Sequence, residues 1–163
     1  MLTETRFTLL LAALLVLLLA GCGSAVNFET AMIDDTTVVR DLKYYENGGQ
    51  DQGPLYTLSI TVPEDWIGQV ETQVLSNRLA FNYIGDGPGR TSILHIEALS
   101  EVQYWEQIGS YPGDYTNIAN KLDTYFVYTV PVNAATTSLS DEQLEELLVQ
   151  IPGIIDSFSA ETS

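Results

Sequence analysis

The sequence predicts an α+β fold, an antiparallel β-sheet flanked by a short helix and a long C-terminal helix. Three observations lead there. Apolar residues recur at every second position over residues 55–62, 70–83, 91–99 and 124–130, which is the period of a strand. Over residues 144–158 they recur instead at the helical period, as one uninterrupted stripe. The order is a run of strands, a short helix, one more hairpin and a closing helix, as in an antiparallel sandwich with helices set against its sheet.

Each element has its own reason. Thr36-Thr37-Val38-Val39-Arg40 is β-branched and reads as a first strand. Glu46 to Pro54 is rich in Gly, Gln, Asp and Asn and reads as an exposed loop. In Leu55–Val62, Tyr56, Leu58, Ile60 and Val62 face a core and the intervening threonines and serine face away. Pro63 stops that strand because it cannot donate to a ladder. Pro63-Glu64-Asp65-Trp66 then makes a turn that folds Trp66 back over the sheet. Val70–Val74 and Leu79–Tyr83 alternate on either side of a tight turn at Asn77-Arg78, the pattern of a hairpin. Thr91–Leu99 is another strand, with Leu94, Ile96 and Ala98 on one face and Ile93, His95 and Glu97 on the other.

Ser100 and Gln103 have capping-box spacing, which satisfies the free N–H groups at a helix start, so a short helix runs through Ile108. Tyr115–Ala119 reads as a strand. Thr124–Val130 is apolar on both sides and belongs inside a sheet. Ser140 and Gln143 make a second capping box, with Asp141 and Glu142 placed to complement the helix dipole. The stripe Leu144, Leu147, Leu148, Ile151, Ile154, Ile155 and Phe158 passes Pro152 without changing phase, so the sequence predicts one helix kinked near Pro152 or two turns in register.

The start of the chain reads differently. Arg6 precedes an apolar run, Phe7 to Ala20, which is too short for a membrane span of about 20 residues and has the layout of a secretory signal peptide. The run ends in Leu19-Ala20-Gly21-Cys22, and Cys22 is the only cysteine. This motif resembles the lipobox of bacterial lipoproteins. The resemblance implies cleavage before Cys22, a diacylglycerol thioether on its sulfur, and an amino group open to acylation by a chain such as palmitate. Two or three such chains anchor a protein stably. The expected organisation is a signal peptide over 1–21, a lipidated N-terminus and tether over 22–35, and a single α+β domain over 36–160. The expected location is the extracytoplasmic face of the cell membrane.

Charge narrows the partners. The chain has 22 acidic and 6 basic residues, and Glu4 and Arg6 cancel, so residues after the signal carry the whole net charge of −16. Charged residues are only 17%, against a usual figure of about 25%, so the imbalance reflects scarce Lys and Arg. Such a surface repels nucleic acid and anionic headgroups, both of which need basic patches. With its one cysteine assigned to lipid, the domain has no disulfide and no cysteine-based metal site.

Tyr56-Thr57-Leu58-Ser59-Ile60-Thr61-Val62-Pro63-Glu64-Asp65-Trp66 is an apolar strand, a proline and an acidic–aromatic turn, and Ile154-Ile155-Asp156-Ser157-Phe158 closes the stripe. Both stretches resemble the PsbP/Mog1-like family over residues 55–158. The resemblance implies an α/β/α sandwich and a mostly non-enzymatic role. Plant photosystem members of that family are accessory proteins on a larger complex, and several others are surface lipoproteins. It transfers no functional residue.

No catalytic constellation emerges. His95, the only histidine, stands two residues from Glu97 on one strand face; the simple reading is a sheet-face histidine bonded to Glu97, and the pair is too small for a zinc site. The acids Asp34-Asp35, Asp86 and Asp141-Glu142-Glu145-Glu146 lack calcium-loop spacing. Glu64-Asp65 is a paired carboxylate that a polar turn explains, and no Gly-x-Ser-x-Gly elbow is present. The aromatics are more informative. Tyr104, Trp105, Tyr111 and Tyr115 gather around the short helix and its following loop, and Tyr44 and Tyr45 precede another. Tyr and Trp offer rigid contact area with a polar tip. The expectation is therefore a membrane-anchored envelope lipoprotein, not an enzyme, acting as a binding or accessory factor for a protein complex. It would need no cofactor beyond the diacylglycerol and N-acyl chain at Cys22, and it would bind no nucleic acid. The alternative is a solute- or carbohydrate-binding surface receptor.

Overall fold

The computed structural model describes residues 28–84, 89–110, 114–131 and 139–163. The chain is mixed α+β, and every strand pairing among the described residues is antiparallel. In order it forms β1 (Phe28–Met32), β2 (Thr37–Leu42), β3 (Tyr45–Glu46), β4 (Asp51–Gln52), β5 (Tyr56–Thr61), β6 (Val70–Leu75), β7 (Arg78–Tyr83), β8 (Thr91–Ser100), α1 (Glu101–Ser110), β9 (Thr116–Lys121), β10 (Thr124–Thr129), α2 (Asp141–Asp156) and β11 (Ser159–Thr162). Six strands make one sheet, ordered β1-β6-β7-β8-β10-β9; three make a second, β11-β5-β2; β3 and β4 pair alone.

The two larger sheets meet face to face. The inner face of the six-stranded sheet carries Val70, Val74, Leu79, Phe81, Leu94, Ile96, Ala98 and Phe126, which pair across neighbouring strands and are all buried. Opposite them lie Val38 of β2 and Tyr56, Leu58 and Ile60 of β5, also buried. The Tyr56 and Phe126 rings meet edge to face at 5.2 Å, closing the gap between sheets. Arg40 of β2 adds a polar tie by donating through Nε and Nη2 to Thr72 Oγ1 of β6, at 3.0 and 2.7 Å.

Helix α2 shares the layer over that inner face. Its capping box is formed: Gln143 N–H donates to Ser140 Oγ, and Ser140 N–H donates to Gln143 Oε1. Leu144, Leu147, Ile151 and Ile154 are its buried stripe. Trp66 is fully buried against Phe81, and its Nε1 donates to Gln150 Oε1, while Gln150 Nε2 donates to Asp65 Oδ2 at 2.8 Å. The acidic–aromatic turn after Pro63 is thereby joined to the closing helix.

Four features depart from the sequence reading. The stretch read as tether, 22–35, is strand from Phe28, paired with β6, and Ile33 after it is buried. An edge strand needs no clean alternation, so its sequence looks like linker. Next, α2 is a single helix through Pro152, which agrees with the one-helix reading, but it ends at Asp156 after 16 residues, so it is of ordinary length and not long. Phe158 packs from beyond its end, with its ring 5.3 Å from Phe126. Third, the chain pairs again as β11 to Thr162, beyond the limit drawn at 160, with Ser163 N–H donating to the Leu55 carbonyl. Finally, the β6–β7 turn is Ser76-Asn77, one residue earlier than read, with Ser76 in the left-handed region. The interior placing of 124–130 holds, since β10 runs between β8 and β9 with Phe126 and Val127 buried.

Candidate functional site

The outer face of the six-stranded sheet is built on other terms. Its residues include Glu71, Gln73, Arg78, Ala80, Asn82, His95, Glu97, Tyr125 and Val127, as the cross-strand pairs require. Glu71 and Glu97 are both buried, and each has an arginine: Arg78 Nε lies 3.0 Å from Glu97 Oε1, and Arg90 Nε lies 3.0 Å from Glu71 Oε1. The second pair lacks hydrogen-bond alignment, so Glu71 Oε1 is held by charge alone. Burying a carboxylate is costly unless a cation accompanies it, and here two of the few bases are used for that.

His95 does not bond to Glu97, which is occupied by Arg78. It meets Ser92 instead, with Oγ and Nε2 2.7 Å apart. Residues three apart on a regular strand point to opposite faces. The β7–β8 register runs from Phe81 opposite Leu94 to Asn82 opposite Ser92, so Ile93 is an extra residue. That bulge turns Ser92 onto the face of His95. Burial, with the charge of Arg78 added, pushes His95 down to about 4, so the imidazole is neutral near pH 7. A histidine held neutral in this way is a weak base, so the Ser92–His95 bond reads as a structural contact of the outer face. Among the described residues, no three His, Cys, Asp or Glu side chains converge as a metal-binding group.

Helix α1 lies at one end of this outer face, and its position is set by polar contacts. Gln103 N–H donates to Ser100 Oγ, Ser100 N–H donates to Gln103 Oε1, and Gln103 Nε2 donates to the Tyr45 carbonyl at 2.6 Å. Ser100 Oγ also donates to the Glu46 carboxylate. The capping box expected from sequence therefore also ties α1 to the β3–β4 hairpin. That hairpin is held in turn by Tyr44 just before it, whose hydroxyl donates to Asp123 Oδ2 at 2.8 Å. Burial first, and then this bond, raises Tyr44 to about 12. Gly53 packs on the Tyr44 ring so closely that a Cβ there would stand 2.2 Å from it.

No side chain of α1 is buried, yet its aromatics are ordered. Tyr104 stacks on Tyr125 of β10 with centroids 4.4 Å apart and planes 16° from parallel, and Trp105 meets Tyr104 edge to face at 5.1 Å. Trp105 is 59% exposed and Val102, one helical turn back on the same side, is 62% exposed. The result is a stacked aromatic step that ends in an exposed indole and a valine.

Of the residues singled out from sequence, Tyr104 and Trp105 come together. Tyr115 does not join them. It is half-buried at the opposite end of the strands and lines an open groove with Asp114, Thr116, Tyr128, Thr129, Val130 and Pro131. Tyr111 and Cys22 lie outside the described residues, as does Asp86. Tyr125 and Val102 were missed. Tyr125 is twenty-one residues from its partner Tyr104 and only strand register brings the two together, whereas Val102 was legible as the i−3 neighbour of Trp105. No family model, curated protein or solved structure matches this chain. Among the described residues, no helix is long and apolar enough to cross a membrane.

Proposed function

We propose that this protein is an envelope lipoprotein, anchored through acyl chains on Cys22, whose α+β domain acts as an accessory factor that binds a protein complex at the extracytoplasmic face of the membrane. We also infer that the domain is a PsbP/Mog1-like sandwich, a reading supported by a six-stranded antiparallel sheet with α2 over its inner face and α1 beside its outer face, and by Trp66 seated on Phe81 after the Pro63 turn. The address rests on Leu19-Ala20-Gly21-Cys22 following its apolar run.

The observation that carries the binding role is the α1 step. A freely rotating exposed tryptophan would lose rotamer freedom on binding; Trp105 already packs on Tyr104, which itself stacks on Tyr125, so docking it costs less. Binding, not catalysis, also accords with the outer face, where the buried acids are committed to arginines. The groove at Tyr115 and Tyr128 supports the second reading, a receptor for a small polar solute.

Cross-linked co-purification from intact membranes tests both. The tagged full-length chain is expected to recover one stoichiometric envelope protein, lost in Cys22→Ser and in Trp105→Ala. Recovery that survives Trp105→Ala would discard the α1 surface. An empty eluate from anchored, folded protein would favour the solute receptor.

A further inference from the structure

The end of the domain from which the anchor departs also carries Leu122, the most exposed large apolar side chain among the described residues, together with the partly exposed Leu75 and Leu55. Strand register places them. Phe28 pairs with Leu75, Leu75 with Arg78, Arg78 with Glu97, and Ser100 with Thr124, so the start of β1, the β6–β7 turn and the β9–β10 turn share one end of the six-stranded sheet. Leu42 and Tyr56 of the second sheet reach the same end, because Tyr56 Oη donates to the Lys121 carbonyl and Tyr44 Oη to Asp123. At this end Leu122 is 85% exposed, Leu75 47% and Leu55 37%.

Leu122 is the anomaly. It occupies the two-residue turn Leu122-Asp123 with φ +51°, a conformation that hairpins ordinarily give to Gly or Asn. A bulky apolar residue therefore sits at a hairpin tip, in unfavourable backbone geometry, with almost no burial in return. Such an outlier points toward function. Chain length supplies the occupant. Five residues lie between Cys22 and Phe28, and the six steps they make span at most about 20 Å even fully extended.

We propose that this end of the domain rests on the lipid surface that holds the anchor, with Leu122 entering the interfacial layer and Leu75 and Leu55 facing the same surface from elsewhere on this end. The proposal depends on the lipoprotein reading above. The contact is apolar rather than electrostatic: Lys43, Arg78 and Lys121 lie at this end, but so do Glu46, Asp51, Glu101 and Asp123, and the whole domain is acidic. It therefore forms on a neutral bilayer and resists salt. It also sets Trp105 and Val102 of α1 close to membrane level, within reach of the juxtamembrane part of an integral membrane protein.

The test uses the full-length lipidated chain in phosphatidylcholine vesicles that contain a lipid with a shallow nitroxide quencher. With Cys22 blocked by its own lipid, a fluorophore is placed through Leu122→Cys or, at the opposite end of the sheet, through Ile67→Cys. Quenching at 122 is expected to exceed that at 67 by about threefold and to be insensitive to salt, as for side chains buried about 5–10 Å into the interface. A Leu122→Gly chain probed through Leu75→Cys is expected to lose about half its quenching while its Tm stays equal or rises, since Gly accepts φ +51°. Equal quenching at the two ends, or a Leu75 probe indifferent to Leu122→Gly, on protein whose mass shows the Cys22 lipid would overturn this inference alone. A mass without that lipid would remove the lipoprotein reading and this inference together.

Discussion

The two helices begin with the same grammar and end in opposite roles. Both start at a serine whose side chain caps the third residue on, and both have a glutamine at that position closing the box. Helix α2 then buries Leu144, Leu147, Ile151 and Ile154 over the inner face of the six-stranded sheet, while α1 buries nothing and displays Val102 and Trp105 beside the outer face. Capping decides where a helix starts; the stripe that follows decides whether it is core or surface. The faces beneath them differ in the same sense. The inner one is apolar apart from Thr72 and, at one end, Ser100 and Thr124, and the outer one holds two ion pairs and a serine–histidine bond.

The largest effect should come from the buried stripe. Ile154→Ala is expected to cost about 2–5 kcal/mol, since the side chain is 2% exposed and little around it can collapse into the space. Leu148→Ala should cost clearly less, because Leu148 is only partly buried at the edge of the stripe. Thermal and urea unfolding would compare them. Equal losses would mean that α2 buries a broader face than its contacts indicate.

The caps provide a finer test, and the expected order is the less obvious one. Ser140→Ala removes one capping bond and should cost about 1 kcal/mol. Ser100→Ala removes the equivalent bond and also the hydroxyl donated to Glu46, a bond to a charged acceptor that joins α1 to the β3–β4 hairpin, so about 2 kcal/mol is expected. The helix that buries nothing should thus depend more on its cap. The reverse order in urea titrations would show that the Ser100–Glu46 bond contributes little in solution.

Much of this contrast was legible in the sequence, because its carriers are local. Capping boxes, the α2 stripe, the alternation in β5 and the β6–β7 hairpin each lie within one window of the chain. What was not legible depends on register. The Tyr104–Tyr125 stack exists because β10 pairs with β8 directly before α1, and no local pattern encodes that. His95 was assigned to Glu97 because they are two apart; a single extra residue in β8 gave it Ser92 instead, and the β7 partner gave Glu97 to Arg78. Strands β1 and β11 were hidden for another reason. They are edges, half their residues face solvent, and their sequences resemble linkers.

The smallest expected effect separates the two faces by pH. In the fold His95 is pushed down to about 4 by burial and by the Arg78 charge, whereas in the unfolded chain it titrates near its ordinary value of 6.5. Between those values the unfolded state takes up a proton that the folded state refuses. Stability is therefore complete above pH 6.5 and falls as the pH drops through 6.5 toward 4. Because His95 is partly solvent-exposed, screening limits the loss to about 1 kcal/mol. Urea midpoints between pH 6.5 and 5, above the range where most carboxylates titrate, should decline in the natural chain and flatten in His95→Gln. Ile154→Ala, whose lesion is on the inner face, should keep the natural slope. If it loses that slope, the two faces of the sheet are coupled through the packing of β8, and the division between an apolar inner layer and a titratable outer one is not energetic.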